Sequence, residues 1–514
     1  MNKILKWNFI FQYGYVLTNI INSIILLPLY LVHINANTLG VWLAATSILN
    51  WITLVDPGIG EVLQQKIAEL RGRKEDTDVV KLIGSGYIAS SIILFLSIVV
   101  GLICYFSIGI IIDKDVTQFS NLTSALIISV IATGLSLTSF SMSGINQGLH
   151  NSANVAICAL SANFLFLLFN LVFLFLGYAV LCIAIANLTR AVFINVYNIS
   201  SMITLLNKMK LKIIYNLNHF KKFIRIFSFT SSAKIISGLA HSIDMIVLAR
   251  YISPAWITLY EINKRPFNIT SALIGRHSVA LMPLISHAKG NNDKNFIVNL
   301  INTQFRFYLY AALFAVLLFY FNYENLITLW IGKGQYAGNL IMYLLAINFF
   351  LGLACTFMSN VGYALGDIKM NSLFNIVRSI LFGVLVFFAA KNYGVVGTLV
   401  TSIFVILLAD FIFYNYRVYK LGYFKFSLVK SLLPSWSIIL PVSFFGGWGL
   451  KILLERLMPD SMNFINLITH SALFTIFFMI LVLVVDSTMN KSFKKVIGKI
   501  SISPFYQKIR RQFV

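Results

Sequence analysis

Residues 207–225 read NKMKLKIIYNLNHFKKFIR, six cations interleaved with apolar side chains. Such a pattern suits an amphipathic segment lying on a membrane surface, its lysines in water and its apolar face in the headgroup boundary. It is the longest basic interruption in a chain that is otherwise apolar. Outward from it, in both directions, runs of about 20 apolar residues recur, each long enough to cross roughly 30 Å of hydrocarbon. Of 514 residues, 58% are hydrophobic and only 11% are charged, whereas soluble domains carry about 25% charged residues. The reading is an all-α polytopic membrane protein of about 14 transmembrane helices. The spans fall near 9–32, 38–56, 83–112, 122–145, 153–176, 178–205, 223–250, 255–287, 299–329, 338–362, 370–390, 394–416, 431–454 and 463–486.

A net charge of +23 raises the question of nucleic acid, but the placement of the charge answers it. With the loops numbered alternately, one side gathers most of the Lys and Arg, from Lys3 and Lys6 through the 207–225 segment to Arg510 and Arg511. The other side holds Lys114, Arg250, Lys333, Lys391, Lys451 and Arg456. The positive-inside rule then puts both termini in the cytoplasm, and the basic balance is topology with no nucleic-acid partner. The first apolar run is too long for a signal-peptide core and has no small-residue cleavage site, so it reads as a retained span. Cys104, Cys158, Cys182 and Cys355 all lie in apolar segments without CxxC spacing and read as packing residues.

The basic segment also divides a repeat. An offset of 218 residues aligns Trp42 with Tyr260, Asn50 with Asn268, Gly72 with Gly290, Gly144 with Gly362 and Gly148 with Gly366, and Gly177 meets Gly394 at 217. Two six-helix lobes fit the parallel-repeat logic of transporters. The expected organisation is an N-terminal lobe over 1–206, a basic linker over 207–222, a C-terminal lobe over 223–418, two further helices over 419–486 and a basic tail over 487–514. The external loops are too short for a catalytic domain. No Gly-rich phosphate loop, HExxH or GxSxG stands in a usable context, so transport is favoured over catalysis.

The stretch 26–75, LLPLYLVHINANTLGVWLAATSILNWITLVDPGIGEVLQQKIAELRGRKE, carries a Pro in the first span, then LGVW, then a DPGIG break before IAELRG. In these features it resembles the first two spans of bacterial polysaccharide (O-antigen, Wzx-type) repeat-unit flippases. These belong to the multidrug/oligosaccharidyl-lipid/polysaccharide exporter superfamily. SGINQGLHNSAN at 143–154 and SNVGYALGDIKMN at 359–371 are similar to that family's ends of spans four and ten. The resemblance implies two helical bundles that alternate access. They would move an undecaprenyl-diphosphate-linked oligosaccharide from the cytoplasmic to the outer leaflet of a bacterial inner membrane. It also implies membrane lipid, a polysaccharide polymerase and a chain-length regulator as partners, no cofactor, and room for H+ or Na+ coupling.

Such a cargo gives meaning to charges inside the spans, which cost a few kcal/mol each and therefore face a partner or a wet cavity (about 2.5–3.5 kcal/mol on insertion scales). Lys234, Lys264, Arg265 and Arg190 reach about mid-depth, while Arg276, Arg306 and Arg378 lie nearer the cytoplasm. These seven are the candidate diphosphate ligands, because phosphates take several donors and Arg meets them with a planar fork. Three interior acids, Asp244, Glu261 and Asp410, are the expected counter-charges, and ion pairing with them or snorkelling to headgroups is the alternative role for the cations. His241 and Asp244, with Glu261, are the candidate coupling-ion residues, since a carboxylate beside an imidazole trades protons near neutral pH. Asp56, at the DPG break, is expected to cap a helix. Competing readings are a lipid-linked peptidoglycan-precursor flippase, a cation-coupled drug antiporter and, from another class, a polyprenyl-dependent glycosyltransferase or polymerase.

The topology is open to test by cysteine labelling. An Asn218→Cys substitution is expected to react with a membrane-impermeant thiol reagent only after the cells are opened. Labelling in intact cells would invert the arrangement.

Overall fold

The computed structural model describes residues 2–56, 58–72, 75–113, 118–119, 121–149, 151–215, 238, 243–290, 293–424, 427–457 and 463–489. Lys234 and His241 lie outside the described residues, as do 216–222 of the linker and the tail from 490 onward. Among the described residues the chain is helical with no strand, the all-α fold expected of it. In chain order the helices are α1 (Asn2–His33), α2 (Ala36–Leu49), α3 (Ile59–Gly72), α4 (Asp76–Ile112), α5 (Leu122–Gly148), α6 (Ser152–Phe175) and α7 (Leu181–Lys208). Then follow α8 (Ile243–Tyr251), α9 (Pro254–Gly290), α10 (Lys294–Trp330), α11 (Asn339–Ala364), α12 (Ile368–Val405), α13 (Ile412–Lys420), α14 (Ser427–Leu457) and α15 (Asn463–Met489). Each expected span has its helix, except that only the end of the seventh, α8, falls among the described residues.

Among the described residues ten helical stretches are long and apolar enough to cross a membrane, and the chain is a multi-pass membrane protein. α9 is not among the ten, because Glu261, Lys264, Arg265 and Arg276 lower its apolarity. The stretch Leu373–Lys420 counts once among them, although it is two spans. Gly394, at φ 55° and ψ −134°, breaks α12 in its course. Only glycine takes that conformation without strain. Gly177, its partner in the sequence repeat, likewise has positive φ and ends α6 before α7 begins.

The chain forms two compact units. The first comprises Met1–Thr258 with Gly383–Gly394, the second Leu259–Phe382 with Val395–Val514. In the first unit α5 is central, packed by α3, α4 and α7, while α6 bridges α1 and α7. Small residues bring the backbones close: a Cβ on Gly60 would lie 2.4 Å from the Phe140 carbonyl oxygen, and one on Gly144 would lie 2.1 Å from that of Gly60. Lipid tails are as apolar as leucine, so membrane helices associate through such close packing and through interhelical hydrogen bonds. The α5–α7 seam supplies the bonds. Asn195 Nδ2 donates to Leu135 O (2.7 Å), Thr138 Oγ1 to Asn195 Oδ1 (3.1 Å), and Asn146 Nδ2 to Asn198 O (2.8 Å). The expected linker begins at the end of α7. Residues 211–215 are not helical, and the Ile214 N–H donates to Val80 O of α4 at 3.4 Å.

α8 packs on α2. The Thr258 hydroxyl donates to Ala36 O (2.8 Å), and the Tyr251 and Phe387 rings meet edge to face at 5.4 Å. These contacts place 243–258 and 383–394 in the first unit.

The second unit is built on an aromatic core where α14 and α15 meet α10. Tyr310, Leu313, Leu317 and Phe321 pack against Ile439, Phe474, Phe478 and Val482. Polar anchors lie inside it. Asn322 Nδ2 approaches His470 Nδ1 at 2.9 Å, His470 Nε2 reaches Gly447 O at 3.0 Å, and Lys451 Nζ donates to Phe321 O at 3.1 Å. Deepest is the ion pair between Arg306 of α10 and Asp486 of α15, both buried. The Tyr310 and Ser435 hydroxyls add donors to the same carboxylate at 3.2 and 3.0 Å. The last two helices are thus bolted into the second unit. At the start of α12, Asp367 takes a two-pronged bond from Arg417, both contacts 2.7 Å.

Breaking a buried ion pair from one side costs about 3–5 kcal/mol, because it strands a charge. Asp486→Asn is therefore expected to lower the thermal unfolding midpoint in detergent markedly. The double variant Arg306→Met/Asp486→Leu, with neither charge, is expected to recover most of the loss. Equal destabilisation of the two variants would show that the pair is not what the site depends on.

Candidate functional site

α9 carries the densest set of expected site residues. It starts at Pro254, a position where a helix needs no N–H from proline, and continues through Pro266. At that second proline the ladder loses a donor to Ile262, and one residue further on the Asn263 carbonyl accepts the Tyr323 hydroxyl of α10. The Asn263 side chain meanwhile ties down the 331–338 loop, donating to Gln335 O (2.8 Å) and accepting from Ala337 N (3.2 Å). The helix is thus pinned beside its own weak point, and the pinned turn is the one that bears the cations.

Glu261 and Arg265 lie one turn apart and pair at 3.2 Å, with 13% and 33% of their side chains exposed. Lys264 holds its Nζ 5.2 Å from the centre of the Tyr260 ring, a cation–π distance. Tyr260 itself is buried. Asn268, which helical spacing puts on the face of Glu261 and Arg265, is exposed. Two turns further, Arg276 is exposed and its neighbour His277 meets Gln304 of α10 at 2.7 Å. The turn around 261–265 therefore presents a carboxylate-braced guanidinium and a ring-braced ammonium, both partly open.

The other expected cations sit in different surroundings. Arg306 is buried against Asp486, as described above. Arg378 Nε donates to Asp410 Oδ2 at 2.6 Å, with a third of the Arg378 side chain exposed and Asp410 buried. Asp410 turns inward because residues 406–411 form a π-helical turn. The wider turn leaves Leu407, Leu408 and Phe411 exposed while the acid is buried. Arg190, in the first unit, lines a cavity of about 260 Å3 with Trp42 and Thr46 of α2, Asn50 just after it, Thr133 of α5 and Asn187. Its guanidinium stands 5.8 Å from the Phe166 ring.

Asp244 is buried in the first turn of α8. Asp56 accepts the N–H groups of Gly58 and Ile59, each at 3.0 Å, so it caps the entry to α3 as its place in DPG suggests. All four cysteines are buried thiols. Among the described residues no cluster of three His, Cys, Asp or Glu side chains is placed to hold a metal ion.

One expectation needs correction. The interior acids number more than Asp244, Glu261 and Asp410, because Asp486 at the end of the last span is a fourth, and it claims Arg306. A lone carboxylate after LVLVV in the sequence was the signal. The hydroxyl- and amide-rich cavity beside Arg190 had no such signal, since its residues come from three helices far apart in the chain.

No family model matches the chain, and no curated protein matches its sequence. Solved structures match it in fold. A lipid II flippase, MurJ, in an inward closed conformation is similar over 95% of this chain and 99% of its own, with a TM-score of 0.66 at 14% identity. An inward-facing multidrug resistance MATE family transporter of the MOP superfamily is similar over 81% of this chain and 96% of its own, with a TM-score of 0.61 at 14% identity. The bent form of the Vibrio cholerae MATE transporter VcmN follows at 82% and 99%, with a TM-score of 0.53 at 14% identity. The protein has the fold of these membrane transporters.

Proposed function

We infer that the protein is a flippase for an undecaprenyl-diphosphate-linked oligosaccharide, an O-antigen or similar polysaccharide repeat unit. It carries this cargo from the cytoplasmic to the outer leaflet of a bacterial inner membrane by alternating access, with both termini in the cytoplasm. The observation that carries the reading is the 261–265 turn of α9. Two adjacent cations, braced but partly exposed, stand within a helix expected to span the membrane, where charge is tolerated for a guest or a partner. A diphosphate is a guest of the right charge. Arg265 offers it a planar fork, and Lys264 a point charge. Glu261 keeps Arg265 oriented while cargo is absent.

The likeness to a lipid II flippase supports a lipid-linked cargo. That structure is matched over more of this chain than the MATE transporters are, and the surplus is about the size of α14 and α15 together. A drug antiporter with cationic substrates would want an acidic or apolar site, and the exposed charges on α9 are basic. The polysaccharide cargo, as against lipid II, rests on the sequence resemblance at 26–75, 143–154 and 359–371. A polymerase and a chain-length regulator would be its partners on the far side of the membrane. Lys234, Arg276 and Arg378 remain candidate ligands along the route, and Arg190 at its inner end. Arg306 is engaged by Asp486 and is the weakest candidate of the set.

Arg265→Ala is expected to abolish surface-polysaccharide export at normal protein level, and Arg265→Lys to restore it in part. Full export by the Lys264→Ala/Arg265→Ala double variant would remove this turn from the cargo site. Asp244, with His241 and Glu261, is proposed for the coupling ion. Asp244→Asn, a mimic of the protonated acid, is expected to keep cargo binding but stop cargo-dependent proton or sodium flux into vesicles. Unchanged flux and export would leave Asp244 as a structural counter-charge.

A further inference from the structure

α7 has three faces. One side, with Ala191, Asn195, Asn198, Met202 and Leu206, is turned toward α5 and α6 and carries the polar seam bonds. A second side, with Val192, Val196 and Ile203, is apolar and exposed, Val196 by 59%. Between them runs a third. Arg190, Tyr197, Ser200, Ser201, Thr204 and Lys208 are spaced at i, i+7, i+10, i+11, i+14 and i+18. At 3.6 residues per turn they fall within about 100° of arc and extend over about 27 Å. This polar stripe has a cation at each end and hydroxyl groups between.

One cavity lies along it, and a second meets it at Arg190. The one at the Lys208 end has a volume of about 550 Å3, and Asn151 and Asn154, at the start of α6, close it from the side. The one at the Arg190 end is the cavity of about 260 Å3 beside Trp42. The larger is within the roughly 300–1,000 Å3 of ordinary small-molecule sites. Phe193 and Tyr197, their rings 5.9 Å apart, form an aromatic wall between Arg190 and the hydroxyl rungs. The Thr204 hydroxyl is turned back to Ser200 O (2.9 Å), and Ser201 accepts from Asn151 Nδ2 (2.8 Å), so the rungs are held in place. Neither cavity has an Asp or Glu in its lining.

Hydroxyl and amide groups that both donate and accept, flat aromatic surface and no carboxylate are the complement of an oligosaccharide. Sugar hydroxyls take the polar rungs, and the apolar C–H face of a pyranose ring takes an aromatic ring. A diphosphate would want cations throughout, and a cationic drug would want acids. We propose that the polar stripe of α7 is a saccharide track that binds the sugar portion of the lipid-linked cargo from the Lys208 end toward Arg190. The inference rests on the flippase reading above and adds to it a second site, one that recognises sugar where the α9 turn recognises phosphate.

The test compares two probes on the full-length protein in lipid nanodiscs: undecaprenyl diphosphate, and the same lipid bearing a trisaccharide that starts from N-acetylglucosamine. Wild type is expected to bind the glycosylated probe about tenfold more tightly. Tyr197→Ala is expected to erase that preference while leaving affinity for the bare lipid unchanged, which also certifies that the variant is folded. Tyr197→Phe, which keeps the ring, is expected to retain it, and Ser200→Ala, at an exposed position, to lower it about threefold. Arg265→Ala is expected to weaken both probes alike. Wild-type binding of both lipids without preference overturns the track and leaves the flippase reading standing. A preference that survives both Tyr197→Ala and Ser200→Ala also overturns it. Failure of wild type to bind either lipid overturns both readings together.

Discussion

A hydrogen-bonding group inside hydrocarbon has no water to fall back on, so the protein itself must supply its partner. That constraint orders the rest of the structure. It makes the described spans helical. It also decides what joins the helices, because burying apolar surface gains nothing where the solvent is apolar too. The α5–α7 seam is accordingly a run of asparagine, threonine and serine bonds over close-packed small residues. The second unit meets the same demand with charge, and Arg306, Tyr310 and Ser435 all donate to Asp486 Oδ1 at the point where the last helix joins.

The same constraint separates charge sealed into the structure from charge left accessible. Arg306 and Asp486 are both sealed from solvent, with two hydroxyls joining Arg306 on Asp486 Oδ1, and an anion could enter only by dismantling the unit. Arg265 has a carboxylate one turn away and a third of its side chain exposed, so a second anion can approach without displacing the first. Arg378 stands between, partly exposed itself but paired with a buried acid. Formal charge is equal in the three cases. Burial and the number of bonds around the counter-ion make the difference.

Fold likeness at 14% identity follows from the physics of the membrane. Span length and apolarity are met by many residue combinations, and helix contacts ask only for small side chains and paired amides. A shared fold therefore says little about cargo, which is read from sites placed on it. Here the sites proposed for it are the braced cations of α9 and the hydroxyl stripe of α7. Each lies on a long helix whose opposite side is fixed by packing, and that fixed side holds these side chains in position.

Local features of this protein were legible in the sequence. Hydropathy over about 20 residues marks a span wherever it packs, and a proline, a DPG or a positive-φ glycine acts on the turn that contains it. The Glu261–Arg265 pair is four residues apart and lies on one helix face by periodicity alone. Nothing local announced that Arg306 would meet Asp486, 180 residues away, or that Trp42, Thr133 and Arg190 would line one cavity. Helical period fixes which residues share a face but leaves open what that face will meet. Only the packing of one helix on another chooses that partner, and with it which cations are sealed into the structure and which stay accessible.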